Sequence, residues 1–169
     1  IYDNDGHILA VWFAYDSANT TTEGTFSAVS TNNGSSWSAA AGIPDASGSD
    51  VQDYNPQLTL DTTNNDVWMA YAENANNRDV LLKRWDGDSN TWDGAGVRNV
   101  SVAATSNRER RPGIGFVDGA LIVSWHRYVG HTDPTPKLYY ARVSGLPTSP
   151  VVGAAQGPYG TRTVEITPG

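Results

Sequence analysis

Ser30-Thr31-Asn32-Asn33-Gly34-Ser35-Ser36-Trp37 reads as a tight connection between two β-strands. Asn side chains accept hydrogen bonds from nearby backbone N–H groups and tolerate left-handed backbone, and Gly enters positive φ without steric cost. Ahead of the turn, Gly24-Thr25-Phe26-Ser27-Ala28-Val29-Ser30 has the composition of a strand. Behind it, Trp37 is placed to return the chain onto a hydrophobic layer.

The same arrangement recurs downstream. Gly24 to Ser30 leading to Trp37 superposes on Asp79-Val80-Leu81-Leu82-Lys83-Arg84-Trp85 leading to Trp92, a shift of 55. Pro136-Lys137-Leu138-Tyr139-Tyr140-Ala141-Arg142-Val143 is a third copy of the strand, and Ser144-Gly145-Leu146-Pro147 after it has lost the turn motif. A second set of segments runs in step. Val11-Trp12-Phe13-Ala14-Tyr15 matches Val67-Trp68-Met69-Ala70-Tyr71 at a shift of 56, and Leu121-Ile122-Val123-Ser124-Trp125 follows. Pro56, Pro112 and Pro168 are spaced by 56 as well. Each period is expected to hold four short strands: one opening at the proline, a hydrophobic one, one leading into the turn motif, and one after the tryptophan. Four strands per unit at this period is the pattern of β-propeller blades.

Spelled Ser-x-Asn-x-Gly-x-Ser-Trp, the opening stretch resembles the Asp-box, the hairpin signature of sialidase-like (BNR) β-propellers, with Asn32 where the family usually has Asp. Asn keeps the side-chain acceptor that the turn uses. The resemblance implies that Ser30, Asn32, Gly34, Ser36 and Trp37 form a structural Asp-box on the outer edge of a propeller. The expected fold is therefore all-β, a propeller of four-stranded antiparallel blades at about 1–54, 55–110 and 111–169. Three blades are fewer than close a ring. Because the chain starts inside a strand and stops as another begins, we expect half of a six-bladed ring closed by a second copy, or a segment of a longer propeller.

Composition agrees with an all-β chain and narrows the partners. Gly, Pro, Asn, Ser and Thr punctuate short runs of Val, Trp, Tyr and Leu, and no amphipathic helical stretch is present. The net charge is −7, with Lys and Arg scattered apart from Arg108-Glu109-Arg110-Arg111, which excludes a nucleic-acid footprint. That run is expected to be a solvated crossing loop. No run of 18 apolar residues exists, so no transmembrane helix is expected. Cysteine is absent, so disulfides and thiol catalysis are excluded. No cofactor and no metal are expected. Asp86, Asp88 and Asp93 lack the spacing of a calcium loop, and His7, His126 and His131 lack that of a zinc site.

The third period carries the chemistry. Arg110-Arg111-Pro112-Gly113-Ile114, then Asp118-Gly119, then His126-Arg127-Tyr128 and Asp133 resemble the opening blade of sialidases, where an Arg-Ile-Pro strand precedes a Gly-turned hairpin ending in Arg and a loop with the acid Asp. The resemblance implies Arg110 and Arg127 as carboxylate-clamping arginines and Asp133 as acid/base. A guanidinium fork binds a carboxylate through two parallel hydrogen bonds, and a loop carboxylic acid protonates a leaving oxygen. The further arginines and the Tyr/Glu nucleophile pair of such an enzyme have no matching motif; Tyr140, Arg142, Arg162 and Glu165 are candidates by identity alone.

Trp12, Trp68 and Trp125 are expected in the core, whereas Trp85 and Trp92, nearer an outer edge, are candidate ligand platforms. The sequence therefore reads as a non-catalytic Asp-box propeller module, extracellular or on the cell surface, that binds a glycan or protein ligand or serves structurally. The alternatives are an exo-sialidase and a propeller lectin with sugar pockets between blades.

Overall fold

The computed structural model describes residues 1, 5–14, 24–43, 53–73, 79–93, 98–101, 107–129, 135–147 and 150–159. The described residues are all-β and contain no helix. Each sheet is built from consecutive strands joined antiparallel. The first contains β1 (Ile8–Ala14), β2 (Gly24–Ser30) and β3 (Ala41–Gly42). The second orders β4 (Asp53–Asp61), β5 (Asp66–Glu73), β6 (Val80–Asp86) and β7 (Thr91–Trp92), with β8 (Arg98–Asn99) also on β6. The third orders β9 (Asn107–Val117), β10 (Ala120–Val129), β11 (Lys137–Ser144) and β12 (Val151–Val152), with β13 (Gln156–Tyr159) also on β11. The fourth position of the second and third sheets is thus shared by two short pieces. In the first sheet Ile1 exchanges backbone hydrogen bonds with Leu9, each of 2.9 Å. The expected boundaries at 54/55 and 110/111 fall inside β4 and β9.

The sheets stack face to face. In β5 both faces are apolar, because the second sheet lies between the other two. Met69, Tyr71 and Leu81 pack with Ile43 and Val11 of the first sheet. Trp68, Ala70, Val80 and Leu82 face Leu121, Val123, Trp125, Ala141 and Val143 of the third. Burying one aromatic side chain of this size contributes roughly 4 kcal/mol for about 150 Å² of apolar area. β4 also lies beside β9, so the first strands of the second and third sheets run together.

The two prolines that suggested strand openings sit within strands. In β4 the register slips between Tyr54 and Gln57, and in β9 between Gly113 and Arg110. Asn55 and Arg111, immediately before Pro56 and Pro112, have φ of 60° and 52°. Each is a β-bulge on a strand with a hydrogen-bonded neighbour on one side only, where a missing N–H is tolerated. Arg111, at the position of an apolar residue in the resembled motif, is exposed, as the bulge directs it.

The tryptophan repeat is corrected by the turns. Gly6, Asn65 and Gly119 take φ of 81°, 57° and 69° at the three hairpin turns. Counted from them, Trp12 corresponds to Tyr71 and Trp125, and their cross-strand partners are Phe26, Leu81 and Tyr139. Trp68 falls one pleat out of step, on the opposite face. The sequence match at 56 conceals this because the turns themselves are not evenly spaced. Trp68 and Trp125 are buried as expected, but Trp12 is 37% exposed and stacks on Phe26 at 6.4 Å. No described sheet covers its face.

Candidate functional site

The turn after β2 is closed by its own side chains. Ser30 Oγ donates to Asn32 Oδ1 at 3.0 Å and accepts from the Gly34 N–H at 2.9 Å. Asn32 Oδ1 accepts from the Ser36 N–H at 2.9 Å, and Asn32 Nδ2 donates to Ser36 Oγ at 2.8 Å. Asn33 and Gly34 supply the left-handed backbone, with φ of 55° and 83°. Trp37 departs from expectation. The chain rejoins β2 one residue later, through the Ser38 N–H to Val29 O at 2.9 Å, and Trp37 is left 46% exposed.

Trp85 and Trp92, the candidate ligand platforms, pack against each other. Trp85 is buried, the two indoles meet edge to face at 5.5 Å, and Trp92 Nε1 donates to Ser27 Oγ of the first sheet at 2.9 Å. Asp86 takes the turn role between them. Its Oδ1 accepts from the N–H groups of Asp88 and Ser89, and the Ser89 bond in particular holds its carboxyl below the usual carboxylate range. Arg84 stands among Asp66, Asp86 and Asp93 at 3.2, 3.6 and 3.9 Å. Burial pushes the Asp66 carboxyl up, and Arg84 opposes it.

The arginines of the third sheet do not converge. Arg110 pairs across the strands with His126, and Glu109 with Arg127. Adjacent strand residues point to opposite faces, so Arg110 and Arg127 are on opposite sides of the sheet. The Arg110 guanidinium lies over the Tyr128 ring at 6.0 Å. Arg127 turns toward the second sheet: its Nε donates to Glu109 Oε1 at 2.5 Å, its Nη2 to the Ser101 carbonyl at 3.1 Å, and its guanidinium lies 4.2 Å over Tyr139. Asp133 lies outside the described residues.

Glu109 corrects the expectation of a solvated loop over residues 108–111. That run is part of β9, and Glu109 is completely buried. Burial pushes its carboxyl from 4.5 up to about 7, with the Arg127 hydrogen bond and charge opposing and Asp79 adding to the rise. Its second oxygen, Oε2, has no hydrogen-bond partner. The Trp125 indole N–H exerts the weakest of these influences and does not reach hydrogen-bonding geometry.

Beside this pair a cavity of about 340 Å³ opens between the outer edges of the second and third sheets, lined by Val100, Ser101, Arg127, Val152, Gly153, Ala154 and Ala155. Arg127 is its charged group, set in an apolar wall. Asn99, Ser101 and Asp79 form a polar network at its edge, where Ser101 Oγ accepts from the Val80 N–H at 2.9 Å and the Ser101 N–H donates to Asn99 Oδ1 at 3.1 Å. Among the described residues no group of three or more His, Asp or Glu has the geometry of a metal site.

Glu109, Tyr139 and Ser101 had no sequence signal as a group. Alternation along β9 and β10 indicates a shared face, but the bulge at Arg111-Pro112 decides which acid or base meets Arg127.

No protein-family model and no curated protein matches the chain. Among solved structures, it is similar to a protein of unknown function from Dyadobacter fermentans DSM 18053, with a TM-score of 0.59 and 16% identity over 84% of this chain and 45% of that one. The chain thus spans just under half the length of that protein. At this identity the likeness concerns the fold alone.

Proposed function

We propose that the three sheets are blades of a sialidase-like β-propeller and that the chain is a non-catalytic module, secreted or displayed on a surface, which binds a glycan or protein ligand. Consecutive antiparallel strands, repeated proline bulges and first strands gathered side by side support the propeller reading. The self-capped turn at Ser30 to Ser36 supports an Asp-box.

The observation that carries the non-catalytic reading is the separation of Arg110 from Arg127. A carboxylate clamp needs both guanidinium groups aimed at one point, and here Arg127 is already committed to Glu109. With its Nε occupied by Glu109, Arg127 serves better as a polar anchor in the cavity wall than as part of an anion clamp. The ligand contact of choice is that cavity, where Arg127 and the Ser101 backbone lie among Val100, Val152 and Ala154.

Hydrolysis of a fluorogenic sialoside, run beside glycan and protein capture on the same preparation, tests this reading. Turnover no faster than in buffer, with capture weakened by Arg127→Ala, is the expected result. Turnover abolished by Asp133→Asn would overturn it in favour of an exo-sialidase.

A further inference from the structure

Arg127 is fixed in the cavity wall with part of its guanidinium left over. Its Nε donates to Glu109 Oε1 and its Nη2 to the Ser101 carbonyl at 3.1 Å, and the Tyr139 ring lies 4.2 Å from Cζ on one side. What the group has left to present to the cavity is its other face and the Nη1 edge. The rest of the wall is small and apolar, built from Val100, Val152, Ala154 and Ala155. Ser101 adds no free side-chain group, because its hydroxyl donates to Asp79 Oδ1 at 3.5 Å and accepts from the Val80 N–H at 2.9 Å. The side chains of the wall therefore offer a ligand alkyl surface and a cation, but no acceptor.

We infer that the cavity takes one aromatic side chain of a protein partner, laid against the free face of the Arg127 guanidinium. This rests on the reading of the cavity as the ligand contact and narrows the ligand to a protein. A guanidinium attracts the negative face of an aromatic ring, most strongly when both are out of water, and it is more weakly hydrated than an ammonium. The hydrogen bonds and Tyr139 already hold this one, so a second ring completes a sandwich without ordering a flexible side chain. A sugar fits less well. Its hydroxyls are donors, and each one buried against Val100, Val152 or Ala154 loses its water without gaining an acceptor. Size points the same way. A volume of about 340 Å³ is at the small end of ligand sites, which span roughly 300–1,000 Å³, and gives room for one side chain rather than an oligosaccharide.

Calorimetric titration of the chain with N-acetyl-tryptophanamide, N-acetyl-leucinamide and N-acetylglucosamine tests the inference. The indole probe is expected to bind about tenfold more tightly than the leucine probe, a ratio that a desolvated cation–π contact supplies, and more tightly than the sugar. Ala154→Trp, at an exposed position of the wall, fills the cavity and is expected to abolish binding. Arg127→Met, made together with Glu109→Gln so that no carboxylate is buried without its partner, is expected to bring the indole probe down to the affinity of the leucine probe. Circular dichroism checks that both variants fold. Equal affinity of the native chain for the indole and leucine probes overturns the inference, as does the absence of indole binding. Sugar binding that Ala154→Trp removes, or protein or glycan capture weakened by Arg127→Ala, would in that case still uphold the cavity as the ligand contact. Binding of every probe unchanged by Ala154→Trp places the ligand elsewhere, and the cavity reading fails together with the inference.

Discussion

Arg127 Nε meets Glu109 Oε1 at 2.5 Å from the neighbouring strand, while the same guanidinium rests 4.2 Å over the Tyr139 ring and reaches the second sheet at the Ser101 carbonyl. One side chain therefore ties β9, β10 and β11 to the edge of the next sheet. Its acid partner is fully buried with one oxygen unpaired, so the attraction is set against a large desolvation cost.

That balance gives the protein a pH dependence of known sign. Glu109 titrates near 4.5 when unfolded and near 7 when folded, so between those values the folded state binds more protons. Its contribution to stability is present below pH 4.5 and is lost as pH rises to about 7, on the order of 3 kcal/mol in all. Urea unfolding at several pH values is expected to show this loss in the native chain relative to Glu109→Gln, which has no carboxyl to ionise. Parallel curves for the two proteins would rule the assignment out. Arg127→Met leaves the buried carboxylate unpaired and is expected to cost about 3–5 kcal/mol at pH 8, but less at pH 5.

The turn after β2 predicts a graded series. Asn32→Ala removes the acceptor of the Ser30 Oγ and Ser36 N–H bonds and should cost about 1–2 kcal/mol. Asn32→Asp keeps both acceptor bonds and lets the Ser36 hydroxyl donate in turn, so its change should stay within about 0.5 kcal/mol. At Gly34 a Cβ meets Ile8 Cδ1 at an ordinary 3.7 Å, so Gly34→Ala should cost about 1 kcal/mol through its φ of 83° alone. Melting temperatures rank the three. An Asn32→Asp loss as large as that of Asn32→Ala would mean that the side-chain bonds do not hold this turn.

Such turns were legible because their chemistry is local. Asn32-Asn33-Gly34 and Asp118-Gly119 need only the backbone conformations that those residues favour, and both occur where expected. The alternation of Val, Trp and Tyr likewise marked the strands. What the sequence could not convey was phase. Uneven spacing of the turns placed Trp12 and Trp68 on opposite faces despite their matching neighbours. In β9, counting outward from Asp118-Gly119 without interruption sets Arg110 opposite Arg127, two like charges. The bulge at Arg111-Pro112 advances the register by one and brings in Glu109 instead. This bulge uses a left-handed residue, and Arg111 is a poor advertisement for one.

The Trp92 indole links two sheets through a single polar bond, its Nε1 donating to Ser27 Oγ at 2.9 Å. Ser27 is buried, so Ser27→Ala deprives the part-buried indole N–H of its acceptor and should cost about 1–2 kcal/mol. Trp92→Phe removes the donor but keeps an aromatic against Trp85, leaving the serine hydroxyl to find another partner. A double-mutant cycle by denaturant unfolding should give a coupling of about 1 kcal/mol between the two positions. A coupling near zero would mean that the contact contributes packing alone.

Arg111 predicts a gain. It is exposed and has φ of 52°, a region that disfavours any residue with a Cβ. Replacing it with Gly removes that strain, while the added freedom of the unfolded chain takes part of the benefit back. The net effect of Arg111→Gly is expected to be a stabilisation of about 0.5–1 kcal/mol, read as a higher denaturant midpoint at unchanged slope. Asn55 has φ of 60° at the equivalent bulge, but Asn tolerates the left-handed region, so Asn55→Gly should gain less. The contrast makes the test specific to the bulge. Equal gains at both positions would assign the effect to glycine in general, and a loss at Arg111 would show that its side chain makes a contact stronger than the strain it bears.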